Sequence, residues 1–364
     1  MIRKAKKTDK NAVIDLWRTG FGETDSFLDF YFGTYYQEDY TYLYLEDGKV
    51  AASLQEVPFD LYNQGHLLPA TYILGVVTHP LHRKKGFAGR LLCTSLTEQY
   101  KKGILFTTLI PQEEYLFDVY RKYGFSEAFY ADEVVVRRTG EEQAQWPDGC
   151  KVLKWGKDTG IPPEYFNAFF DFYTKAYKDS GVCMLKSKTD LAFYADAFLG
   201  FEGDIYVYLN VKDVGVKACA FVTQNRPARI KELLYDDETG KNAILSALFK
   251  ETEQDSASVL TPARGGFGVS CQARPLGMAR VVNAEKWADC FARIYCADID
   301  ITLSDKQIRE NNQHFHIHQN QSEEIAFTGT AEAFAPFSLM YGLHQEKDYG
   351  HAQAKCPYMN LMLN

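Results

Sequence analysis

Apolar positions along the first third of the chain recur at two different periods. Ile2 to Ala5 reads as a short strand. A helix is predicted from Thr8-Asp9, because Val13, Leu16, Trp17 and Phe21 return at helical spacing. A second helix is predicted from Asp25 as its cap, carrying Phe27, Phe30, Tyr31 and Tyr35. Residues 41–46 and 49–57 read as strands joined by Asp47-Gly48, a pair that tolerates the positive φ of a tight hairpin turn. Thr71 to Val77 is an apolar, β-branched strand. Helix 87–101 and strand 104–110 come next, with Pro111 closing the strand. Helix 113–122 is stopped by Gly124, and strand 133–137 completes the segment.

The polar stretch 138–150, with Gly140, Pro147 and Gly149, marks a boundary. Beyond it the pattern predicts helices at 164–178 and 189–199, strands at 204–210, 216–223 and 230–235, helix 241–252 and strand 257–261. The order of strand, turn ending in glycine, helix and strand repeats that of residues 71–110, so this stretch reads as a divergent second copy of the first. Gly265-Gly266-Phe267-Gly268 lacks the context of a phosphate-binding loop and reads as a linker. The end of the chain reads as α+β: strand 278–283, helix 284–296, strands 298–303, 314–319 and 324–329, and a helix capped by Thr330 that must absorb Pro336. The expected fold class is therefore α/β and α+β. Two tandem mixed-sheet domains, 1–140 and 141–268, precede an α+β domain, 269–364.

Composition narrows the partners. With 40 Lys+Arg against 48 Asp+Glu, the net charge of -8 disfavours nucleic acid and suits a cationic small molecule better. Eight cysteines form no CxxC pair, so neither a zinc ribbon nor a dense disulfide framework is expected. The N-terminus lacks a signal-peptide apolar core, and no apolar run approaches the roughly 18 residues of a membrane helix. A soluble cytoplasmic protein with reduced thiols and no membrane partner is the expectation.

The sharpest local signal runs from Val76 to Gly89. Between a buried strand and an amphipathic helix lies Arg83-x-x-Gly86-x-Ala88, flanked by Lys84, Lys85 and Arg90. Small residues let a backbone approach a ligand, and a helix start aims N–H groups and a positive dipole outward, so the segment reads as a pyrophosphate cradle or as a basic solvated turn. His79 and His82 read as turn residues. Some thirty residues on comes Tyr120-x-x-x-Gly124-Phe125.

Together the two segments resemble the GNAT superfamily of N-acetyltransferases. The resemblance implies acetyl-CoA as cosubstrate, bound between strands 71–77 and 104–110 as they splay. Val76, Val77 and Thr78 would lie along the thioester arm, and Lys84, Lys85, Gly86, Phe87, Ala88 and Gly89 would surround the pyrophosphate. Tyr120 would protonate the leaving thiolate, with Tyr123 as its rival. The three-part organisation resembles the Eis-type (enhanced intracellular survival) acetyltransferases, whose last domain resembles sterol carrier proteins. That likeness implies a homo-oligomer, an amine acceptor (small molecule or lysine) and a C-terminal carboxylate acting as base. Here that group would be the carboxylate of Asn364, where the family pattern favours an aromatic residue. The second copy has Asp236-Asp237-Glu238 at the equivalent helix start, so one CoA site per chain is expected. The alternative reading is a non-enzymatic acyl-CoA or lipid-binding protein.

By the same analogy, helix 25–36 and loop 58–70 would flank the acceptor, with Glu23, Asp25 and Glu56 as carboxylates that attract an amine. His314, His316 and His318 alternate onto one strand face. No acidic or thiol ligand stands beside them in sequence, and Phe315 and Ile317 explain the row as a half-buried strand. No metal is expected.

Overall fold

In the computed structural model, residues 1–138, 146–212, 214–262, 273–319, 321, 323–344 and 359 are described. The chain forms two compact units, Met1–Phe129 with Leu276–Gln345, and Tyr130–Pro275.

The first unit opens with β1 (Ile2–Lys4), α1 (Lys10–Phe21), α2 (Asp25–Thr34), β2 (Thr41–Glu46), β3 (Lys49–Asn63), β4 (His66–Thr78), α3 (Phe87–Lys102), β5 (Phe106–Leu109) and α4 (Glu114–Arg121). β6 (Ser126–Arg137) then leads into the second unit. The cap of α2 is Thr24, whose hydroxyl accepts from the Phe27 amide at 3.3 Å, and not Asp25, which instead pairs with Arg18 at 2.9 Å. Asp47 and Gly48 both adopt positive φ in the β2–β3 turn, as their sequence requires.

The expected loop 58–70 is a β-hairpin. β3 and β4 pair continuously from Pro58↔Thr71 to Asn63↔His66, around a Gln64-Gly65 turn with two positive φ values. Alternation persists through Pro58: Val57, Phe59 and Leu61 are buried while Pro58 and Asp60 are exposed. The proline reads as a stop but lies on the outward positions of a strand that the apolar alternation carries onward.

The second unit contains β7 (Cys150–Trp155), α5 (Pro163–Lys178), β8 (Val182–Leu185), α6 (Lys188–Phe201), β9 (Gly203–Asn210), β10 (Gly215–Thr223), β11 (Ala228–Tyr235), α7 (Glu238–Thr252) and β12 (Ser256–Pro262). Each unit carries an antiparallel run and then one parallel pair bridged by a helix: β4-α3-β5 in the first, β11-α7-β12 in the second. A parallel pair needs such a crossover. The two units thus share one strand–helix–strand arrangement with the same strand directions.

The chain returns through β13 (Arg274–Val281), α8 (Ala284–Tyr295), β14 (Asp298–Ser304), β15 (His314–Ile317), β16 (Glu324–Thr330) and α9 (Ala331–His344), which holds Pro336 within it. β13 pairs antiparallel with β5, from Met278↔Leu109 to Val281↔Phe106. β14 to β16 form a separate sheet, ordered β15-β14-β16. Fully buried Trp287 of α8 joins these parts, meeting Phe106 at 4.8 Å and donating to the Ser338 hydroxyl at 2.9 Å. Among the described residues, no helix is long and apolar enough to cross a membrane.

Candidate active site

Strand β4 prepares the site by breaking its own ladder. Ser53 faces Val77 and Gln55 faces Leu74, so Gly75 and Val76 together oppose one residue of β3. This is a β-bulge. Gly75 takes φ +61°, and a Cβ there would stand 2.5 Å from the Trp17 ring of α1, so only glycine serves. On the other edge, β4 pairs with β5 from Ala70↔Phe106 to Tyr72↔Thr108 and no further. β4 runs on past Tyr72 to Thr78, beyond its pairing with β5, so the backbone of Val76–Thr78 is not paired to β5.

The loop after β4 is tied back to α1. The Arg83 guanidinium donates to the Gly20 carbonyl at 3.2 Å and the Thr78 carbonyl at 3.5 Å, so it shapes the loop. The His79 ring accepts from the Leu81 amide at 3.3 Å, in keeping with a turn role. Lys84 and Gly86 both take positive φ, at 65° and 77°. Gly86 is the N-cap of α3 and offers no side-chain cap; the first turn carries no acid. The leading amides of Phe87, Ala88 and Gly89 therefore lack acceptors within the helix. Space above Gly86 is open: a Cβ built there meets nothing within 4 Å. Lys85 reaches the His82 ring at 3.2 Å, and Arg90 donates to the Tyr44 hydroxyl at 2.9 Å.

Two residues of this segment turn inward. Phe87 is buried and stacks on Tyr44 with ring centroids 3.9 Å apart. Gly89 is buried beneath Tyr123, whose hydroxyl would lie 1.9 Å from a Cβ at that position. These two can meet a ligand only through their backbone, whereas Lys84 and Lys85 project outward.

Tyr120 belongs to the same apolar cluster as Phe87, Ile73, Leu109 and Phe125, with Val76 and Tyr123 packed against it. The cluster unites the bulged strand, the start of α3 and helix α4. Among the described residues the Tyr120 hydroxyl has no hydrogen-bond partner. Burial, with a smaller contribution from Tyr115, pushes its pKa up to about 12.

The turn after Tyr120 is held by residues that carry no motif in the sequence. Arg280 of β13 donates to the Tyr123 carbonyl at 2.6 Å and to both oxygens of Asp305 at 2.6 and 2.5 Å. Both side chains of this pair are 1% exposed. Gly124 takes φ +81°, and a Cβ there would lie 1.5 Å from an Arg280 nitrogen. The glycine of the second motif is thus the seat of a guanidinium supplied from 156 positions downstream, a pairing with no local signature.

Of the acceptor-side carboxylates, Asp25 is engaged by Arg18. Glu56 is buried against Lys102 at 3.0 Å and accepts from Ser95 at 2.7 Å, so it belongs to the C-terminal end of α3, far along the helix from Gly86. Glu23 is half-buried, and burial raises its pKa. Among the described residues it has no ion-pair partner. Tyr31 is buried, stacked on Trp17 at 4.6 Å, and donates to Gln55 at 2.8 Å. Phe27, Phe30 and Tyr35 are not fully buried. Asn364, Tyr358, Leu361, Leu363 and the 265–268 glycines lie outside the described residues.

An uncapped helix start after a bulged strand is the arrangement that the sequence resemblance implies. Residues 1–128 match the model described as Acetyltransferase (GNAT) domain. This first third of the chain is similar to an acetyltransferase domain. No curated protein matches the sequence. Solved structures similar in fold to this chain include a conserved protein of unknown function from Enterococcus faecalis V583, described as a probable N-acyltransferase, at TM-score 0.72 and 14% identity over 92% of this chain and 88% of that one. A GCN5-related N-acetyltransferase from Anabaena variabilis is similar at TM-score 0.68 and 16% identity, over 95% and 91%. Eis1 from Mycobacterium abscessus is similar at TM-score 0.67 and 12% identity, over 93% and 90%.

The start of α3 fits an anionic diphosphate: free amides, open space, two left-handed residues and outward lysines combine there. The second unit does not offer this. At α7, Asp237 is the N-cap and its carboxylate accepts from the Gly240 amide at 2.8 Å, with Glu238 in the first turn. An anion built into the chain fills the place that α3 leaves open.

Proposed function

We propose that the protein is an acyl-CoA-dependent N-acetyltransferase of the Eis type, acting on a primary amine. The single observation that carries this reading is the uncapped start of α3 at Gly86, set at the end of the bulged strand β4. Acetyl-CoA, when bound, supplies the activated acetyl thioester. Lys84, Lys85 and the amides of residues 86–89 hold its diphosphate. The backbone of Val76, Val77 and Thr78, beyond the pairing with β5, orients the acyl arm. Tyr120 holds a proton at its phenolic oxygen for the leaving sulfur. On this reading, the layer of α8, α9 and β14 to β16 corresponds to the sterol-carrier-like domain.

Gly86→Glu tests the cradle. The new side chain's first atom meets no atom of the protein, and its carboxylate places an anion over the helix start. Acetyl-CoA affinity, read by calorimetry, is expected to fall at least about 100-fold, a loss of about 2.7 kcal/mol of binding. Gly86→Asn keeps a residue that tolerates positive φ and should retain most of the affinity. Unchanged binding in Gly86→Glu would remove the loop from the cofactor site. Thiol release across a panel of amines then reads the reaction.

A further inference from the structure

The histidine row acquires acidic partners that its own segment lacks. β15 runs antiparallel to β14, with Asp300 opposite His316 and Thr302 opposite His314. Alternation on β14 buries Ile299 and Ile301 and turns Asp298 and Asp300 to the opposite, outer face. Five side chains with metal-ligating chemistry therefore share one surface: Asp298, Asp300, His314, His316 and His318. His314 Nε2 lies 3.0 Å from one Asp300 oxygen, and His316 Nδ1 lies 3.4 Å from the other. His316 Nε2 meets His318 Nε2 at 2.5 Å, and His318 Nδ1 lies 3.2 Å from Asp298. An acid is thus available to the row, supplied across the sheet and not along the sequence.

Proton counting shows what the arrangement needs. Asp300–His316, His316–His318 and His318–Asp298 are three successive contacts, and each needs one hydrogen between its two heavy atoms. Two neutral imidazoles supply two hydrogens. One contact therefore sets two electron pairs against each other unless a third proton or a metal cation supplies the missing positive charge. If His316 donates through Nε2 to His318, and His318 donates through Nδ1 to Asp298, then His316 Nδ1 is left as a bare electron pair facing Asp300. A carboxylate behind a histidine commonly fixes a metal ligand's ring in this way.

We propose that Asp300, His314 and His316 form a surface site for a zinc-type divalent cation, with His318 and Asp298 orienting His316 from behind. The ligand atoms of the three residues lie within 4.8 Å of one another. Tetrahedral zinc, with bonds of about 2.0–2.2 Å, needs its ligands about 3.3 Å apart, so small rotations of exposed side chains suffice. Two imidazoles and one carboxylate favour late first-row divalent ions over magnesium or calcium. Two of the ligands stand on one strand and the third on its neighbour, so the bound ion clasps β15 to β14.

The test is a zinc titration of the full chain, stripped with chelator and freed of any affinity tag, with calorimetry and metal analysis as readouts. Wild type should bind one zinc equivalent that excess magnesium does not displace. The H314A/H316A double variant, altered only at exposed positions, should lose that equivalent while keeping its circular dichroism. Asp298→Asn should retain the stoichiometry and weaken affinity about 10- to 100-fold. Equal zinc binding by wild type and the double variant, or none by either, would overturn the proposal.

Discussion

Tyr120→Phe is expected to slow acetyl transfer by about 10²- to 10⁴-fold while leaving acetyl-CoA affinity unchanged, the cost of losing a positioned proton donor. The variant isolates chemistry from packing. Phenylalanine refills the cluster formed with Phe87, Leu109 and Phe125, and the hydroxyl it removes has no partner among the described residues. Burial raises the phenol's pKa to about 12, so the group is fully protonated through the neutral range and is in its donating form. A fall in rate at mildly alkaline pH would therefore report another group. Single-turnover kinetics separates the step from product release. Tyr123→Phe is the control, because the Tyr123 hydroxyl sits over Gly89. If Tyr123→Phe collapses the rate and Tyr120→Phe does not, the two residues exchange roles.

Arg280→Met should cost about 3–5 kcal/mol, the range for breaking a buried ion pair by removing one partner. Asp305 would remain buried without its counter-charge, and the Tyr123 carbonyl would lose a donor at 2.6 Å. At about 2–4 °C per kcal/mol for a domain of this size, the melting temperature should drop by roughly 10 °C. Arg280→Met/Asp305→Asn removes both charges while keeping an oxygen for the Gln307 and Ile308 amides, and should recover part of the loss, so a cycle of the four proteins reads the coupling. Acid supplies a second check. Burial raises the Asp305 pKa, but the Arg280 charge and several hydrogen bonds outweigh that effect and leave it lowered. A lowered folded pKa gives stability that is present above the unfolded value and lost as pH falls through the folded one. The double variant should lose less stability than wild type on acidification.

The physical range of each signal explains what could be read from the sequence. The loop and the uncapped helix start at Gly86 were legible because Arg83, Gly86 and Ala88 lie close together in the chain. The Asp47-Gly48 hairpin was legible for the same reason. Strand β3 was recognised only as far as Val57, since Pro58 masked an alternation that continues to Asn63, and β4 only from Thr71. The inward turn of Phe87 and Gly89 depends on Tyr44 and Tyr123, which arrive from other elements. Arg280 over Gly124, Lys102 on Glu56 and Asp300 beside His316 are all matters of register between distant segments. A single sequence carries no period or spacing that announces them.

The pairing of β13 with β5 also constrains how the protein is made. When the ribosome has completed β5 and α4, the strand that will cover β5's far edge has not been translated. The whole of residues 130–275 must emerge first. At about 5–20 residues per second, that edge waits on the order of ten seconds. During this interval the nascent chain presents unpaired backbone that can recruit a neighbouring copy. Expression of residues 1–140 alone would make that interval permanent, and such a fragment is expected to aggregate where the full chain does not.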